Sequence, residues 1–433
     1  MTTNAQFRPS RRSVLLGGSA VGAMIALSPG LAFAQGAPLR FGIFGSATKL
    51  EIRGKSIAKY AELHPELNVV FEGVPSDAWP DKIAAMVAGG NAPDVITLGI
   101  EDMGQYATRG ALQPLDEYAG GLLNTDNFDA AVLDLGRYQG KLYGLPIAVS
   151  IQGLGYNETI LERLGLGAPP TDWTREEFAT YCADIHKADP TIYGSHDCGG
   201  RLGDFQMTLV ADGKQLYTPE GTLGATVDEV AAWLEYWSKM RESGGAVPAD
   251  MQAQFTGTEW PNAPLVRGTA VFASMASQDI ASGYQALTED KLNLTAPPIA
   301  ANGTSGLYPS PTSSVTLNAK SANKDEAVKL MNWFVADPQS ALILGLVSGP
   351  PAARPALEAV LTLPELSEID EKVLKYAQSM LPTANPAPLA HRAGRAMNDL
   401  MRRTNENVGF GTVSVQQGAT DFMTEAASLL QQG

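Results

Sequence analysis

Cysteine, histidine and positive charge are all in short supply in this chain. Its 433 residues hold two cysteines and four histidines, and 31 Lys and Arg stand against 46 Asp and Glu, a formal net charge of −15. Four scattered histidines leave no set of ligands for a tetrahedral metal site, so no metal and no cofactor are expected. A chain this acidic is repelled by nucleic acid and by anionic membrane surfaces, and neither is an expected partner. No serine lies in a nucleophile-elbow context, so His196 followed by Asp197 does not make a hydrolytic triad. Beyond residue 34 no run reaches the roughly 20 apolar residues that a membrane-spanning helix needs. Internal repeats and low-complexity linkers are missing too.

The two cysteines, Cys182 and Cys198, are close in sequence. An even count in an oxidising compartment permits a disulfide, provided the Cα atoms come within about 7 Å. The alternative is a pair of buried free thiols.

What is present begins with a leader. Ser10-Arg11-Arg12 precedes Val14-Leu15-Leu16, a short Gly/Ala/Leu-rich stretch, the breaker Ser28-Pro29-Gly30 and the small-x-small motif Ala32-Phe33-Ala34. This order of charge, apolar run and cleavage motif predicts a signal peptide over residues 1–34. The adjacent arginines point to the twin-arginine route. No cysteine follows the motif to take a lipid anchor. A free exported protein would be lost by a cell without an outer membrane, so a periplasmic location is expected.

About 400 residues remain, more than one hydrophobic core usually serves, so two domains are expected. With no linker between them, the chain should cross from one to the other several times. The first hundred residues alternate strand and helix. Leu39–Phe44, Leu67–Phe71 and Val95–Leu98 read as short buried strands. Between and after them, apolar residues recur at helical spacing: Ile57, Tyr60 and Ala61, then Trp79, Ile83, Met86 and Val87, then Met103, Tyr106 and Ala107. Such spacing predicts right-handed crossovers and a parallel sheet. Gly144–Ser150 leaves that unit as an extended segment. Thr174 with Glu177 three residues later predicts a capping box. Further short strands are predicted at Thr269–Ala273 and Ser314–Asn318. The end reads as helical, with one stripe of Ile369, Val373, Tyr376 and Met380, and another of Ala419, Phe422, Met423, Ala426 and Leu430.

Several stretches, in this order, resemble one family. Ala88-Gly89-Gly90 before Pro93-Asp94-Val95-Ile96, and then Tyr106 to Asp116, are similar to the "GG-x-x-PD … Y-x-x-x-G-x-L-x-P-L-D" signature of solute-binding proteins of sugar ABC importers, the maltose-binding-like family 1. Tyr156–Leu166, Pro170–Thr174, Gly268–Phe272, Ala322–Ala327 and Asp337–Gln339 resemble later segments of that family. The resemblance implies an α/β, two-lobed periplasmic binding protein fold of type II, each lobe an α/β sandwich, with strands crossing a hinge. One lobe would hold residues 35–148 and 299–345, the other 149–298 and 346–433. The solute would sit in the cleft, and the closed monomer would dock on an inner-membrane ABC permease. No catalysis is implied.

Ligands of open α/β sheets lie beyond the carboxyl ends of the strands. That rule selects Ser46 and Lys49 after the first strand, Ser76 and Asp77 after the second, and Glu101 and Asp102 after the third. Carboxylates suit sugars because each accepts two hydroxyl donors with charge-assisted strength. Ser150 and Gln152 stand at the hinge crossing. His196, Arg201 and Asp204 lie in the Gly-rich loop before a helix, and Arg354 follows a later one. Where sugar-binding members often carry a "G-x-W" aromatic, this chain has Ala273-Ser274-Met275-Ala276-Ser277-Gln278-Asp279, which nominates Ser277 and Gln278. Trp260 and Tyr308, the latter near Ser310, are the candidate replacement aromatics. The expected ligand is a carbohydrate or polyol. An alternative of the same fold is an anionic solute such as a sugar phosphate, a sulfonated sugar or an organic acid. An exported glycoside hydrolase is the alternative of another class, but nothing sets two carboxylates across a scissile bond.

Overall fold

The computed structural model describes residues 37–432, apart from 77, 256–259, 390 and 392, and omits the side chains of Ile100, Glu101 and Gln432. The leader over residues 1–34 lies outside the described residues.

Three βα units open the fold. They are β1 (Leu39–Gly45), α1 (Ala47–Leu63), β2 (Val69–Pro75), α2 (Trp79–Ala88), β3 (Val95–Leu98) and α3 (Ile100–Thr108). Strand β1 lies between β2 and β3 and runs parallel to both. A short helix α4 (Ala130–Asp134) and a two-residue hairpin, β4 (Arg137–Tyr138) and β5 (Lys141–Leu142), lead into β6 (Gly144–Asn157). The second half continues with α5 (Glu158–Arg163), α6 (Arg175–Ala188), β7 (Tyr193–Ser195), α7 (Leu202–Ala211), α8 (Val227–Glu242) and α9 (Ala249–Gln252). Strands β8 (Ala270–Ala276), β9 (Leu292–Thr295) and β10 (Pro309–Leu317) follow. The chain ends in α10 (Lys324–Ala336), α11 (Pro338–Leu344), α12 (Arg354–Val360), α13 (Glu368–Met380), α14 (Gly394–Gly409) and α15 (Val415–Gln432). No helix among the described residues is long and apolar enough to cross a membrane.

Strand β6 is the structural spine. The order β2-β1-β3-β10-β6-β8-β7 makes one sheet, with β9 also on β6. The first part of β6, Gly144–Ile151, pairs antiparallel with β10. Its second part, Gln152–Asn157, pairs antiparallel with β8 and β9. The strand therefore passes from one half-sheet to the other at Ile151–Gln152. Glycine permits that second part: a Cβ at Gly155 would meet the Met275 side chain at 2.5 Å.

Each half-sheet is covered on both faces, as alternation along buried strands requires. Phe41, Ile43 and Val95 join Ile57, Leu330 and Phe334 on one side of the first half, while Ile96 and Leu98 join Trp79, Ile83 and Met103 on the other. In the second half Leu154, Tyr156 and Phe272 pack on Phe178, Phe205 and Trp233, and Ala273 and Met275 pack on Phe255, Leu265 and Tyr284. Residues 352–360 send Ala353, Leu357 and Val360 into the first core. Helix α13 straddles the crossing: Ile369 and Val373 enter one core, Leu374 and Tyr376 the other, and the Tyr376 hydroxyl donates to the Gln152 carbonyl at 2.7 Å. The fold is the α/β, two-lobed periplasmic binding protein architecture expected from the sequence.

The predicted capping box is present at Thr174 and Glu177, and an unforeseen second one joins Thr226 and Glu229. The disulfide expectation needs correction. Cys182 and Cys198 are free thiols, both buried. Cys182 lies on α6 beneath Gly194, and the Cys198 thiol points at the His196 carbonyl, 3.8 Å away. Burial pushes both thiols up in pKa, so they stay protonated.

Candidate functional site

The parallel strands β1, β2 and β3 end on one side of the first half-sheet, so their following loops share that side. Ser46 is exposed and caps α1, its Oγ accepting from the Lys49 N–H at 3.4 Å. Lys49 is exposed in the first turn of that helix, and Ser76 is exposed in the turn after β2. Glu101 and Asp102 occupy the first turn of α3, where Asp102 is half-buried. Asp77 and the Glu101 side chain lie outside the described residues.

The crossing and the second half-sheet are joined by a chain of hydrogen bonds. Gln152 Nε2 donates to Ser274 Oγ at 2.7 Å, and Ser274 Oγ donates to Asp204 Oδ1 at 2.8 Å. Arg201 Nε then donates to Asp204 Oδ2 at 3.1 Å. The relay runs from the hinge strand β6 across β8 to the start of α7. Burial raises the pKa of Asp204, opposed by Arg201 and the Ser274 hydroxyl. Arg201 keeps 43% of its side-chain surface open to solvent, so it remains available to a ligand. It faces a cavity with about 350 Å³ of water-accessible space, lined also by Gln252, Phe255, Asn398 and Arg402. That volume lies in the range of small-ligand sites, roughly 300–1,000 Å³. A second, largely apolar cavity lies around α7, between Trp233, Trp237, Pro298 and Leu307, and shares Asp204 and Ser274.

The loop that carries Arg201 is held from below. Asp197 accepts from Arg241 Nη1 at 2.6 Å, Asn405 Nδ2 at 2.9 Å and the Gly199 N–H at 2.9 Å. His196 lies beside it with its ring buried, edge-on to Phe255. The Leu265 N–H donates to His196 Nε2 at 3.0 Å, which places the ring proton on Nδ1. Burial, with Arg201 nearby, holds the imidazole pKa down at about 3, so the ring is neutral. His196 thus fixes the turn at Leu265 as a hydrogen-bond acceptor. Among the described residues no group of three or more His, Cys, Asp and Glu is arranged to hold a metal ion.

A family model for bacterial extracellular solute-binding proteins matches residues 47–341. The chain belongs to that family. A binding protein of Brucella abortus (strain 2308) is 25% identical over 286 residues, 63% of this chain and 65% of the relative, so the chain spans about two thirds of that relative's length. The maltotriose-binding protein of Pyrococcus abyssi is 25% identical over 354 residues, 77% of this chain and 69% of that protein. An extracellular solute-binding protein of family 1 from Alicyclobacillus acidocaldarius shares the fold with a TM-score of 0.85 at 24% identity, covering 92% of this chain and 99% of that one. Members of this family bind solutes and are extracellular, and the family is not one of enzymes.

The other residues named from sequence lie near the crossing or in the packed scaffold of this solute-binding protein. Ser150 faces exposed Ser310 across the β6–β10 ladder, beside the crossing. Ser277 is fully buried just after β8. Its N–H donates to the Ile151 carbonyl at 2.9 Å, while its Oγ and the neighbouring Gln278 Oε1 are buried without partners. Tyr308 is half-buried, its hydroxyl 3.4 Å from Gln206 Oε1, and burial pushes its pKa up to about 12. Trp260 packs on the backbone at Gly283, where a Cβ would lie 2.2 Å from the indole, and beside Tyr284 at 5.8 Å. That ring is committed to packing. Arg354 pairs with Asp129 at 2.6 Å and donates to the Asp126 carbonyl, with 46% of its side-chain surface open to solvent. Sequence reasoning did not name Ser274, the middle of the relay. The alternation along β8 held the signal, since Ser274 and Ala276 are half-buried where Ala273 and Met275 are core.

Proposed function

We propose that this chain is the receptor of an ABC importer and that it binds a carbohydrate or polyol between its lobes. The observation that carries the reading is the Gln152–Ser274–Asp204–Arg201 relay, which joins the hinge strand to a ligand-sized polar cavity lined by residues of the second lobe. Such a relay offers hydroxyl-bearing solutes both donors and acceptors, and it responds to any bend of β6 at Gln152. The lobes proposed are residues 35–148 with 299–345, and 149–298 with 346–433, with residues 352–360 packed back into the first core. Ligand shifts the population toward the closed form, which is the form a permease would take up. The Pyrococcus relative, a maltotriose-binding protein, supports a sugar. The ligand contacts proposed are Ser46, Lys49, Ser76, Asp77, Glu101 and Asp102 on one wall. Facing them are Ser150, Gln152, Arg201, Asp204, Ser277 and Gln278. The leader would deliver the folded chain to the periplasm by the twin-arginine route.

Thermal-shift screening against neutral sugars, polyols, uronic acids and sugar phosphates tests this reading. A ligand at 100 times its dissociation constant stabilises by about 2.7 kcal/mol, an easily read shift. At least one sugar should raise the melting temperature and be recovered unchanged. If no sugar or polyol does so, the carbohydrate reading fails; if a glycoside is consumed, the receptor reading fails.

A further inference from the structure

Arg53 is a buried cation without a counter-charge. It lies in the second turn of α1 and is 5% exposed. None of the ion pairs among the described residues includes it. Its guanidinium donates through Nη1 to the Phe44 carbonyl and through Nη2 to Ser348 Oγ at 2.7 Å, and its Nε is buried with no partner. Arginine carries five N–H donors, and both acceptors it has found are neutral. Isolated charges are costly to bury and are normally paired. Burial alone pushes this guanidinium down to about 10.

The placement of the head group gives the cost a purpose. Phe44 and Gly45 are the carboxyl end of β1, the side on which ligands of such sheets sit. Glycine at position 45 makes the room, since a Cβ there would lie 3.0 Å from Arg53 Nη1. Directly beside it, the 17-residue helix α1 begins with no acidic residue in its first turn, and the N–H groups of Ala47 and Thr48, both exposed residues, have no partner among the described residues. A helix start of this kind attracts anions. The third neighbour, Ser348, belongs to the segment between α11 and α12 that runs back to the crossing, where the Val149 N–H donates to the Pro350 carbonyl. A ligand carboxylate that takes the place of the Ser348 hydroxyl exchanges a neutral acceptor for a charged one. Such a charge-assisted bond is roughly twice as strong as a neutral one.

We infer that Arg53 and the start of α1 form an anion subsite, and that the solute is a sugar carrying a carboxylate. This inference rests on the carbohydrate-receptor reading above and adds the charge of the ligand to it.

Isothermal titration of the purified protein with D-galacturonate, D-glucuronate, D-galactose and D-glucose tests it, with galactose 6-phosphate and inorganic phosphate as arms for a phosphate source. A uronate should bind about tenfold or more tighter than its neutral parent, as a charge-assisted contact implies. Arg53→Met should abolish that preference, and Arg53→Lys should keep part of it. Neutral sugars that bind as well as their acids overturn the inference while leaving the carbohydrate reading in place. So does an Arg53→Met protein that melts earlier but keeps the preference, since Arg53 would then only tie β1 to Ser348. A preference for phosphate over carboxylate overturns the carboxylate assignment. If no sugar binds, the carbohydrate reading fails. In that case a succinate-induced melting shift that Arg53→Met removes upholds the anion subsite alone, and its absence overturns both. The wild-type comparison needs no variant, so it stands even if Arg53→Met does not fold.

Discussion

Replacing Asp197 with alanine should be among the most costly single changes outside the apolar cores, and it should weaken ligand binding from beneath the site. The carboxylate is 2% exposed and its partner Arg241 is 9% exposed, so the pair is desolvated on both sides. Three donors converge on it, from Arg241, Asn405 and Gly199. Removing one partner of a buried pair costs about 3–5 kcal/mol, because the other charge is left uncompensated. The Arg241 contact to Asn405 Oδ1 at 3.2 Å survives and favours the lower half of that range. Urea unfolding is the assay, read as a shift in midpoint at unchanged slope. The double variant Asp197→Ala/Arg241→Met isolates the cause. With no charge left to strand, it should be more stable than the sum of the two single losses predicts. A loss under about 1 kcal/mol for Asp197→Ala, or strict additivity in the double variant, would refute the reasoning.

Three further outcomes are expected. His196 is held neutral with a pKa near 3 against an ordinary 6.5, so the unfolded chain binds its proton first. Stability is therefore full above about pH 6.5 and declines toward about pH 3, and His196→Gln should flatten that part of the urea-midpoint profile; an unchanged slope would show that His196 does not carry it. Gly283→Ala drives a methyl into the Trp260 ring, whose nearest atom would be 2.2 Å away, and should cost about 1–3 kcal/mol with a loss of near-ultraviolet Trp ellipticity. In an Ellman titration the native protein should react slowly and the unfolded protein should yield two thiols; no thiols after unfolding would mean that Cys182 and Cys198 are bonded.

Much of the first half was legible because its signals are local. Ile57 and Tyr60, then Trp79 and Ile83, mark the buried faces of α1 and α2 at helical spacing, and the strands between them are short runs of β-branched and aromatic residues. The Thr174 capping box needs only four residues. Long-range partnerships left no such mark. Strand β6 continues to Asn157 through Gly153 and Gly155, residues that usually interrupt a strand, because Leu294 and Met275 lie against the space their side chains would fill. Arg53 reads as an ordinary charged residue on a helix, and only the fold places it against the Phe44 carbonyl and Ser348. Asp197 and Arg241 are 44 positions apart in sequence, too far for any spacing rule.

The candidate site was legible only where position along the chain carried it. Gln152, Arg201 and Asp204 were named for their places at the crossing and in the Gly-rich loop, and the structure brings all three into one relay. Trp260 was named as a candidate replacement aromatic, and one side of its ring packs on the Gly283 backbone. Arg354 was attractive as a cation after a helix, but Asp129 and the Asp126 carbonyl occupy it. Both cases have the same physical cause: a large side chain near a cleft finds packing or pairing partners that a linear reading cannot supply.

The relay is the centre of the functional account, and Ser274→Ala is the smallest change that cuts it. The variant removes one hydroxyl from a half-buried position, so the fold should remain intact. Isothermal titration with the sugar that stabilises the wild type most should show affinity falling about tenfold, because Gln152 and Asp204 each lose a partner at the cleft wall. An affinity within about twofold of wild type would contradict the claim that this relay holds the ligand.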